Sequence, residues 1–545
     1  MRLKGHDSAP VARRTVTTPA RSDWHRSGAC LPCTRGDGGL LYQSAVAGAL
    51  QNGLMSRLPE PREPPTLYLQ IADSIAAPIR SGTLAGGERI PSVRELSRRH
   101  GVSLGTVVQA YRLLEDSRLI EARPRSGYFV VTRPSGPPEP EVSNPPASSL
   151  VVDVSSLAER VMQLAHDPRC ISFGAACPSP DLFSQDLVRR AVSRAAQRQG
   201  PSLTRYAIGP GDEVLRHAIA RHALGLGCQL ESRDIVITNS CLESITLCLR
   251  SVTQPGDVVA LESPTLFSFL VILESLHLRA LEIPTHPRTG MSLDALQLAF
   301  DTQPVRVVLT VPTLSNPIGA CMPPRERRRL AQAVAERRVP LIEDVLCNDL
   351  AQSEEHRRAV RAFDPTGHIM LCGSFSKTVA PGLRLGWVEA GRWSSDVARL
   401  KQATSGAQTV LLEHALAELL TRPGVEAGQR RLRTALATRL DEAREVIARH
   451  FPTGTRVTNP AGGLFLWVEL PREVDALALF HACLDEHIVI APGMMFSATD
   501  HFGHCIRLGL GGEWDEPHQQ ALRRVGELAG RLEPRHLPSL PSRTR

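Results

Sequence analysis

The sequence has no apolar segment long enough to cross a bilayer, since none approaches the roughly 18 to 20 uninterrupted residues of a membrane helix. Its basic N terminus also lacks the apolar core of a secretion signal, and Asp7, Asp23 and Asp37 interrupt it. The 12 cysteines follow no disulfide-framework spacing, as in a reduced cytosolic protein. We therefore expect a cytoplasmic chain with no membrane partner.

A large excess of charge of one sign is missing too. The 63 basic and 56 acidic residues give a formal charge of +7, which permits a nucleic-acid partner without requiring one. Cys30 and Cys33 form the one close cysteine pair, and no second pair follows at ligand spacing. We therefore predict no metal site.

The length of 545 residues favours several domains. Residues 1–54 are rich in Arg, Ser, Gly and Pro without an apolar period, so disorder is expected there. Met55 precedes the first well-patterned segment, and we hypothesise that the functional chain starts at that residue. Residues 536–545 are predicted to be a second disordered tail.

Residues 55–132 predict a small DNA-binding domain. Apolar residues recur at helical spacing, glycines supply the helix stops, and Ser103 is suited to cap the third helix. A turn with a basic tip then joins two short strand-like segments. The first predicted helix begins at Leu67 and is stopped by Gly82 and Gly86-Gly87, the second spans residues 91–100, and the third runs from its cap at Ser103 through Glu115. The predicted strands span 119–122 and 128–131.

Three helices followed by a basic hairpin indicate a winged helix-turn-helix. Ser103 and Thr106 would face phosphates and base edges, while Arg94 and Arg125 would add phosphate contacts. The alternative is a helical interaction domain whose basic residues are merely solvated. The predicted DNA-binding residues are Ser92, Arg94, Ser103, Leu104, Gly105, Thr106, Arg125 and Gly127.

Three motifs carry a resemblance over residues 67–131: IPSVREL at 90–96, GVSLGTV at 101–107 and GYFV at 127–130. Together they resemble the DNA-binding domain of the GntR family. That family usually has a basic residue after the capping serine, where this chain has Leu104. A phosphate contact is then missing, or an apolar contact such as one to a thymine methyl replaces it.

Residues 133–150 are crowded with prolines and predict an extended, semi-rigid linker. In residues 151–535, apolar strand-like runs alternate with helix-length segments. Five predicted strands span residues 234–238, 258–262, 305–311, 339–343 and 369–372. This alternation predicts an α/β domain with a mostly parallel sheet and helices on both faces. Shorter strands near residues 464–470 and 505–508 suggest a small C-terminal lobe.

Reactive side chains follow several of these predicted strands. Lys377 stands among hydroxyls with Arg384 seven residues later, which suits a phosphate-bearing aldehyde cofactor. Asp344 ends a strand, where a buried carboxylate can pair with a pyridine nitrogen, and Asn316 follows another strand. Ser240 opens a helix whose free N–H groups suit an anion. The four elements together predict a pyridoxal 5'-phosphate (PLP) site.

Residues 171–510 resemble the fold-type I aminotransferases, which implies a mostly parallel sheet of the seven-stranded type. With the GntR-like domain in front, the chain resembles a MocR-type regulator. The resemblance implies a Schiff base at Lys377, a pyridine-nitrogen contact at Asp344 and a ring-hydroxyl contact at Asn316. It implies phosphate contacts at Ser374, Ser376, Arg384, Ser240 and Cys241.

The same resemblance implies that Tyr206 reaches the phosphate bound by a neighbouring subunit, and hence a homodimer. Arg507 matches the arginine that clamps an amino acid's carboxylate, for which a guanidinium fork is suited. The alternative for Arg507 is an ordinary ion-pair arginine.

Two positions depart from the aminotransferase pattern. Cys347 stands where a tyrosine commonly bonds the ring oxygen, and Leu266 stands where an aromatic usually stacks on the pyridine ring. Phe267 could stack there only with a register shift. A thiol is a weak donor and an aliphatic cap does not stack, so we infer retained cofactor binding and weakened transaminase chemistry.

The function that these resemblances imply is a PLP-dependent regulator of transcription. It would bind double-stranded DNA and sense a small amine or amino acid through aldimine exchange at Lys377. One alternative is an active PLP-dependent aminotransferase with a secondary DNA-binding module. Another is a DNA-binding protein whose large domain only dimerises.

Overall fold

The computed structural model describes residues 67–80, 83–116, 119–123, 126–131, 136–152, 156–198 and 200–532. The two predicted tails, Arg125 and the outer boundaries at residues 55 and 535 lie outside these ranges. Within them, no helix has the length and apolar character that a membrane crossing requires.

The N-terminal domain forms the predicted three helices and hairpin. Its core is apolar and continuous, with Leu96, Val107, Tyr111 and Leu114 buried. The hairpin strands pair antiparallel, with Ile120 opposite Val130. The elements are α1 (Leu67–Arg80), α2 (Val93–His100), α3 (Leu104–Asp116), β1 (Ile120–Arg123) and β2 (Gly127–Val130).

Helix α2 begins two residues later than the sequence predicts. Pro91 was expected in its first turn, but Ser92 is the N-cap, and its Oγ accepts the Glu95 N–H at 3.2 Å. Pro91 lies before the helix, where its carbonyl accepts the Tyr111 hydroxyl. The serine oxygen therefore fixes the start of α2.

The described part of the linker, residues 136–150, is extended and lies along the large domain. Ser143 exchanges hydrogen bonds with Thr285, since Ser143 N donates to Thr285 O at 3.2 Å and Thr285 N donates to Ser143 Oγ at 2.8 Å. Val457 N donates to Pro138 O at 2.9 Å. Glu141 pairs with Arg456 at 2.7 Å. This segment is therefore held to the large domain.

The large domain is built on one mixed sheet, in the order β3-β7-β6-β9-β10-β11-β12-β5, with β8 paired to β7. Seven of these strands make the predicted seven-stranded core, in which β12 alone runs antiparallel to its neighbours. The strands of this sheet are β3 (Leu150–Val151), β5 (Ile235–Thr238), β6 (Val258–Ser263), β7 (Arg279–His286), β8 (Gly290–Met291), β9 (Val305–Thr310), β10 (Leu341–Asp344), β11 (Ile369–Ser374) and β12 (Gly386–Glu389). Strand β4 (Ile171–Ser172) lies outside it.

Helices cover both faces of this sheet, as predicted. In β6, Val259 and Leu261 pack into one apolar cluster, and Ala260 packs into another on the opposite face. A strand buried on both faces reads as a continuous apolar run. The helices are α4 (Leu157–Leu164), α5 (Gln185–Arg198), α6 (Glu213–Ala223), α7 (Cys241–Val252), α8 (Phe267–Ser275), α9 (Leu293–Thr302), α10 (Pro324–Arg337), α11 (Glu354–Arg357), α12 (Ser394–Thr404), α13 (Val410–Leu420) and α14 (Pro423–His450).

The small C-terminal lobe is present. Its four-stranded sheet has the order β13-β14-β17-β16, while β15 pairs with β4 in a separate parallel pair. Its elements are β13 (Arg456–Val457), β14 (Phe465–Glu469), α15 (Ala476–Asp485), β15 (Ile488–Val489), β16 (Ala491–Pro492), β17 (Cys505–Gly509) and α16 (Glu516–Arg531).

Candidate cofactor and DNA-binding sites

The reactive side chains of the large domain meet at the carboxyl edge of its sheet. Asp344 is the last residue of β10, Cys241 opens α7 after β5, and Lys377 follows β11 by three residues. Strands β10 and β11 are parallel neighbours, so their carboxyl ends lie side by side. In open α/β sheets this edge is where ligands bind.

Asp344 is a buried carboxylate, and one of its oxygens accepts two hydrogen bonds from the protein. Its Oδ1 accepts the Leu346 N–H at 2.8 Å and the Cys241 thiol at 3.3 Å. Burial raises the pKa of Asp344 to about 6, although those two donors and the positive charge of Lys377 oppose the rise. No described residue donates to Oδ2, which leaves this oxygen for a ligand's N–H group.

Lysine is rare in this chain, so few amines could form a Schiff base with a cofactor aldehyde. The sequence contains three lysines, Lys4, Lys377 and Lys401. Lys401 is 2% exposed, donates to Ser405 Oγ at 2.6 Å and lies 3.5 Å from the Glu243 carboxylate. Among the described lysines, only Lys377 is therefore placed to react with a carbonyl.

The Lys377 amine contacts a segment that precedes it by 200 residues. Its Nζ donates to Ala176 O at 2.6 Å and lies 3.3 Å from Cys177 Sγ. Sequence reasoning missed both residues, because a small-residue loop carries no catalytic motif. No local signal would have found them.

The predicted phosphate residues form a hydroxyl-rich turn. Ser374 Oγ lies 2.7 Å from Ser376 Oγ and also bonds Leu385 O at 3.0 Å. Arg384 is exposed and has a φ of 51°, a strained conformation for a residue with a Cβ. Ser240 Oγ caps α7 by accepting the Glu243 N–H at 3.2 Å. The hydroxyls and the arginine fit a phosphate.

Arg507 is a buried cation without a carboxylate partner among the described residues. It is 1% exposed, and its Nη1 bonds Asn316 Oδ1 at 3.3 Å, while Nη2 donates to Gly174 O. Nε has no hydrogen-bond partner among the described residues. Burial lowers the pKa of Arg507 to about 10. The ion-pair alternative thus finds no support in the described chain, and the site suits an anionic ligand.

Leu266 is the half-buried residue just before α8 and packs with Leu346 against the cluster on one sheet face. Phe267 turns the other way and meets the Phe496 ring edge-on at 6.2 Å. This gives no sign of the register shift that would bring Phe267 to the ring position. Cys347 is buried near Asp344, and burial raises the pKa of its thiol to about 12.

Tyr206 stands apart from these residues. Its side chain is 98% exposed, and it lines a surface cavity of about 690 Å³ with Leu203 and Ile208. None of the cofactor or effector residues named above lines that cavity. A role of Tyr206 at a cofactor therefore requires a second subunit.

The start of α3 presents polar and apolar groups to solvent. Ser103 Oγ accepts the Thr106 N–H at 3.1 Å and lies 2.8 Å from Thr106 Oγ1. Leu104 is 51% exposed, and Gly105 beside it is also exposed. This arrangement matches a recognition helix whose first turn reaches DNA.

The hairpin turn and α2 complete the predicted DNA-binding face. Arg94 and Ser92 are exposed, and Gly127 has a φ of 102°, which favours glycine. A Cβ at Gly127 would lie 3.4 Å from Arg89 Nε, so the exposed Arg89 side chain lies against the turn. Sequence reasoning missed Arg89, although its position just before the IPSVREL motif was visible.

Two family models match the chain: the gntR family of bacterial regulatory proteins over residues 67–130, and class I and II aminotransferases over residues 179–524. Two Escherichia coli proteins, the uncharacterized HTH-type transcriptional regulators YjiR and YdcR, are 33% and 34% identical to it. The alignments cover 86% and 85% of this chain and 99% and 98% of those proteins.

Among solved structures, the α-aminoadipate aminotransferase LysN of Thermus thermophilus, complexed with N-(5'-phosphopyridoxyl)-L-leucine, is 25% identical with a TM-score of 0.63. The match covers 68% of this chain and 94% of that one. The large domain therefore has the fold-type I architecture, whose enzymes generally use PLP. The chain belongs to the MocR-type, DNA-binding HTH-type transcriptional regulators, in which a GntR helix-turn-helix precedes a class I and II aminotransferase domain.

Proposed function

We propose that this regulator holds PLP on Lys377 and changes its DNA binding when an amine or amino acid displaces that lysine. The observation that carries the proposal is the placement of Lys377. Of the two described lysines, Lys401 is committed to a buried ion pair, and Lys377 stands at the sheet edge with Asp344. When bound, PLP supplies an aldehyde that forms a Schiff base with a primary amine.

The residues at this edge fit that group. Asp344 Oδ2 accepts no hydrogen bond from the described chain, so it can hold the pyridine N–H. Asn316 would hold the ring hydroxyl, and Leu266 would cover the ring. Ser374, Ser376, Arg384, Ser240 and the N–H groups that open α7 would bind the phosphate.

Arg507 supports an effector that carries a carboxylate. A buried guanidinium without an acidic partner pays a desolvation cost that an anionic ligand would offset. Its contact with Asn316 at 3.3 Å links the effector position to the cofactor position. An amino acid therefore fits this pocket better than a simple amine.

A second candidate function is an amino acid aminotransferase. The simultaneous presence of Lys377, Asp344 and Arg507 favours it. Cys347 and Leu266 oppose it, because a weak thiol donor and an aliphatic side chain take positions where the aminotransferase pattern has aromatics. We therefore propose that turnover is slow or absent and that sensing is the main role.

We further propose that the protein works as a homodimer in the cytoplasm. Tyr206, exposed in the single chain, would contact the phosphate held by the other subunit. Ligand-driven change in DNA affinity requires that the effector bind two conformations of the dimer with different affinities.

The test is a cofactor spectrum followed by reductive trapping and DNA binding. Wild-type protein incubated with PLP should gain visible absorbance, and borohydride reduction should label the Lys377 peptide. Lys377→Arg keeps the charge and should lose both signals. Added amino acids should then shift binding to a DNA fragment from the gene's own upstream region, without turnover of 2-oxoglutarate.

Labelling of another lysine, or unchanged DNA binding across a panel of amines and amino acids, would contradict the proposal. Efficient transamination would favour the aminotransferase instead.

A further inference from the structure

The Cys241 thiol contacts the carboxylate of Asp344. Cys241 opens α7, is 4% exposed, and its Sγ lies 3.3 Å from Asp344 Oδ1. Side chains at a helix start lean toward the N-terminal end of the helix, which here directs the thiol toward the end of β10. The preceding Ser240 caps the helix as a hydrogen-bond acceptor, so its own O–H remains free to donate to a phosphate.

The thiol is held in the form that can donate. Burial, followed by the nearby charge of Asp344, raises the pKa of Cys241 well above its ordinary value. A protonated thiol is a donor, although a weak one. The direction of the hydrogen bond is therefore from Cys241 to the carboxylate.

The contact orients Asp344 as well as stabilising its charge. Leu346 N and Cys241 Sγ both donate to Oδ1, which restricts rotation of the carboxylate and turns Oδ2 away from both donors. Donors to the charged form lower a carboxylate's pKa, and here they counteract the burial that raises it. A cofactor nitrogen is best held by a carboxylate that stays ionised and in one orientation.

We propose that Cys241 is a positioning residue for Asp344, whose thiol keeps this carboxylate oriented toward the cofactor's pyridine nitrogen. The inference rests on the proposed function for its cofactor, but the hydrogen bond itself exists without one. The backbone N–H groups at the start of α7 remain available to the phosphate.

The hydrogen bond can be tested in the protein without added PLP. The S–H stretching band of Cys241 is isolated by subtracting the infrared spectrum of Cys241→Ala from that of the wild type. We expect a band at the lower frequency of a donating thiol. Asp344→Ala should move it to the frequency of a free thiol, and a band that does not respond to Asp344→Ala would overturn the inference.

The consequence is tested by PLP affinity, measured by equilibrium dialysis on full-length protein. Cys241→Ala should raise the PLP dissociation constant about 3- to 10-fold, as expected for the loss of one ordinary hydrogen bond, because a thiol is a weak donor. Cys241→Ser restores a donor and should keep the constant close to that of the wild type.

Cys248→Ala is the matched control, because Cys248 is a fully buried thiol on the same helix that contacts Cys372 instead. Equal weakening by both alanine variants would mean that only packing matters, and the inference would be wrong. If the wild type bound no PLP at all, the proposed function would fail, while the infrared band would still decide whether Cys241 donates to Asp344.

Discussion

At the residue scale, the surroundings of Arg507 support the proposed effector site. Its guanidinium is buried, bonds neutral oxygens of Gly174 and Asn316, and lies over the Phe496 ring at 5.0 Å. Burying a charge without an opposite charge is costly, so such a residue is kept only where the charge has a use. The planar fork matches a carboxylate better than a lysine ammonium does.

We predict that Arg507→Lys weakens the response to amino acids and spares the response to amines. The variant keeps the charge and loses the paired N–H geometry, which is worth about 1.5–3 kcal/mol, or roughly 10- to 100-fold in affinity. The measurement is a titration with an amino acid and with its decarboxylated amine, followed by cofactor absorbance. Equal loss for both ligands would contradict a carboxylate contact.

A second feature at the residue scale is Leu104, an exposed apolar side chain in the first turn of α3, where a phosphate contact is predicted to be missing. We predict that Leu104→Arg adds one phosphate contact and steepens the dependence of log K on log salt by about 0.9. The measurement is DNA-binding anisotropy across a salt series. Leu104→Gln, which is polar and uncharged, is the control and should leave the slope unchanged. An identical slope for all three proteins would place this position away from the phosphates.

At the element scale, the linker behaves as a docked segment. Its Pro-rich composition predicts an extended chain, and the structure adds the Ser143–Thr285 pair and ion pairs from Glu139 and Glu141 to the large domain. Exposed ion pairs contribute little, so the two hydrogen bonds between Ser143 and Thr285, one of them to the Ser143 hydroxyl, carry most of the attachment. In the sequence, this segment lies between the DNA-binding domain and β3 of the large domain.

We predict that a glutamate-specific protease cuts slowly after Glu141 in the wild type and faster in Ser143→Pro. Proline removes the donor N–H and the acceptor hydroxyl, and loss of two hydrogen bonds of about 1 kcal/mol each should accelerate cleavage roughly tenfold or more. Ser148→Pro is the control, since Ser148 is exposed in the same segment. Similar rates for both variants would mean that the segment is not docked in solution.

At the scale of the whole molecule, the surface around Tyr206 is apolar and open. Leu203, Tyr206 and Ile208 are 59%, 98% and 83% exposed, and all three lie within residues 203–208. Large exposed apolar patches mark interaction sites. A second copy of the chain would cover this patch and bring Tyr206 to a cofactor.

We predict that Ile208→Glu weakens the dimer at least about 30-fold, as expected of a buried interface anchor. Because Ile208 is exposed in the single chain, the thermal unfolding midpoint of the isolated subunit should change little. Sedimentation equilibrium gives the dissociation constant. Leu298→Glu, on the exposed part of α9, is the control and should leave it unchanged. A dimer unaffected by Ile208→Glu would place the interface elsewhere.

The sequence by itself determined the elements and the order of the motifs. The three N-terminal helices, five of the parallel strands and the small lobe follow from local periodicity and capping, which depend on neighbouring residues. Strands β7 and β12 were missed. No recognised motif flanks β7, and β12 begins two residues after Arg384 and runs antiparallel to β11. The Ser92 cap likewise displaced the predicted start of α2, because a side-chain hydrogen bond outweighed the proline preference.

Only the tertiary structure decided which side chains meet. Cys241 and Asp344 are 103 residues apart in sequence, and Lys377 and Ala176 are 201 apart. Such contacts depend on how strands are ordered in the sheet, which no local pattern encodes. The sequence alone predicted that Asp344 ends a strand and that Lys377 and Asn316 follow strands. The tertiary structure brings the Cys241 thiol to Asp344, places no described carboxylate beside Arg507, and holds the linker against the large domain.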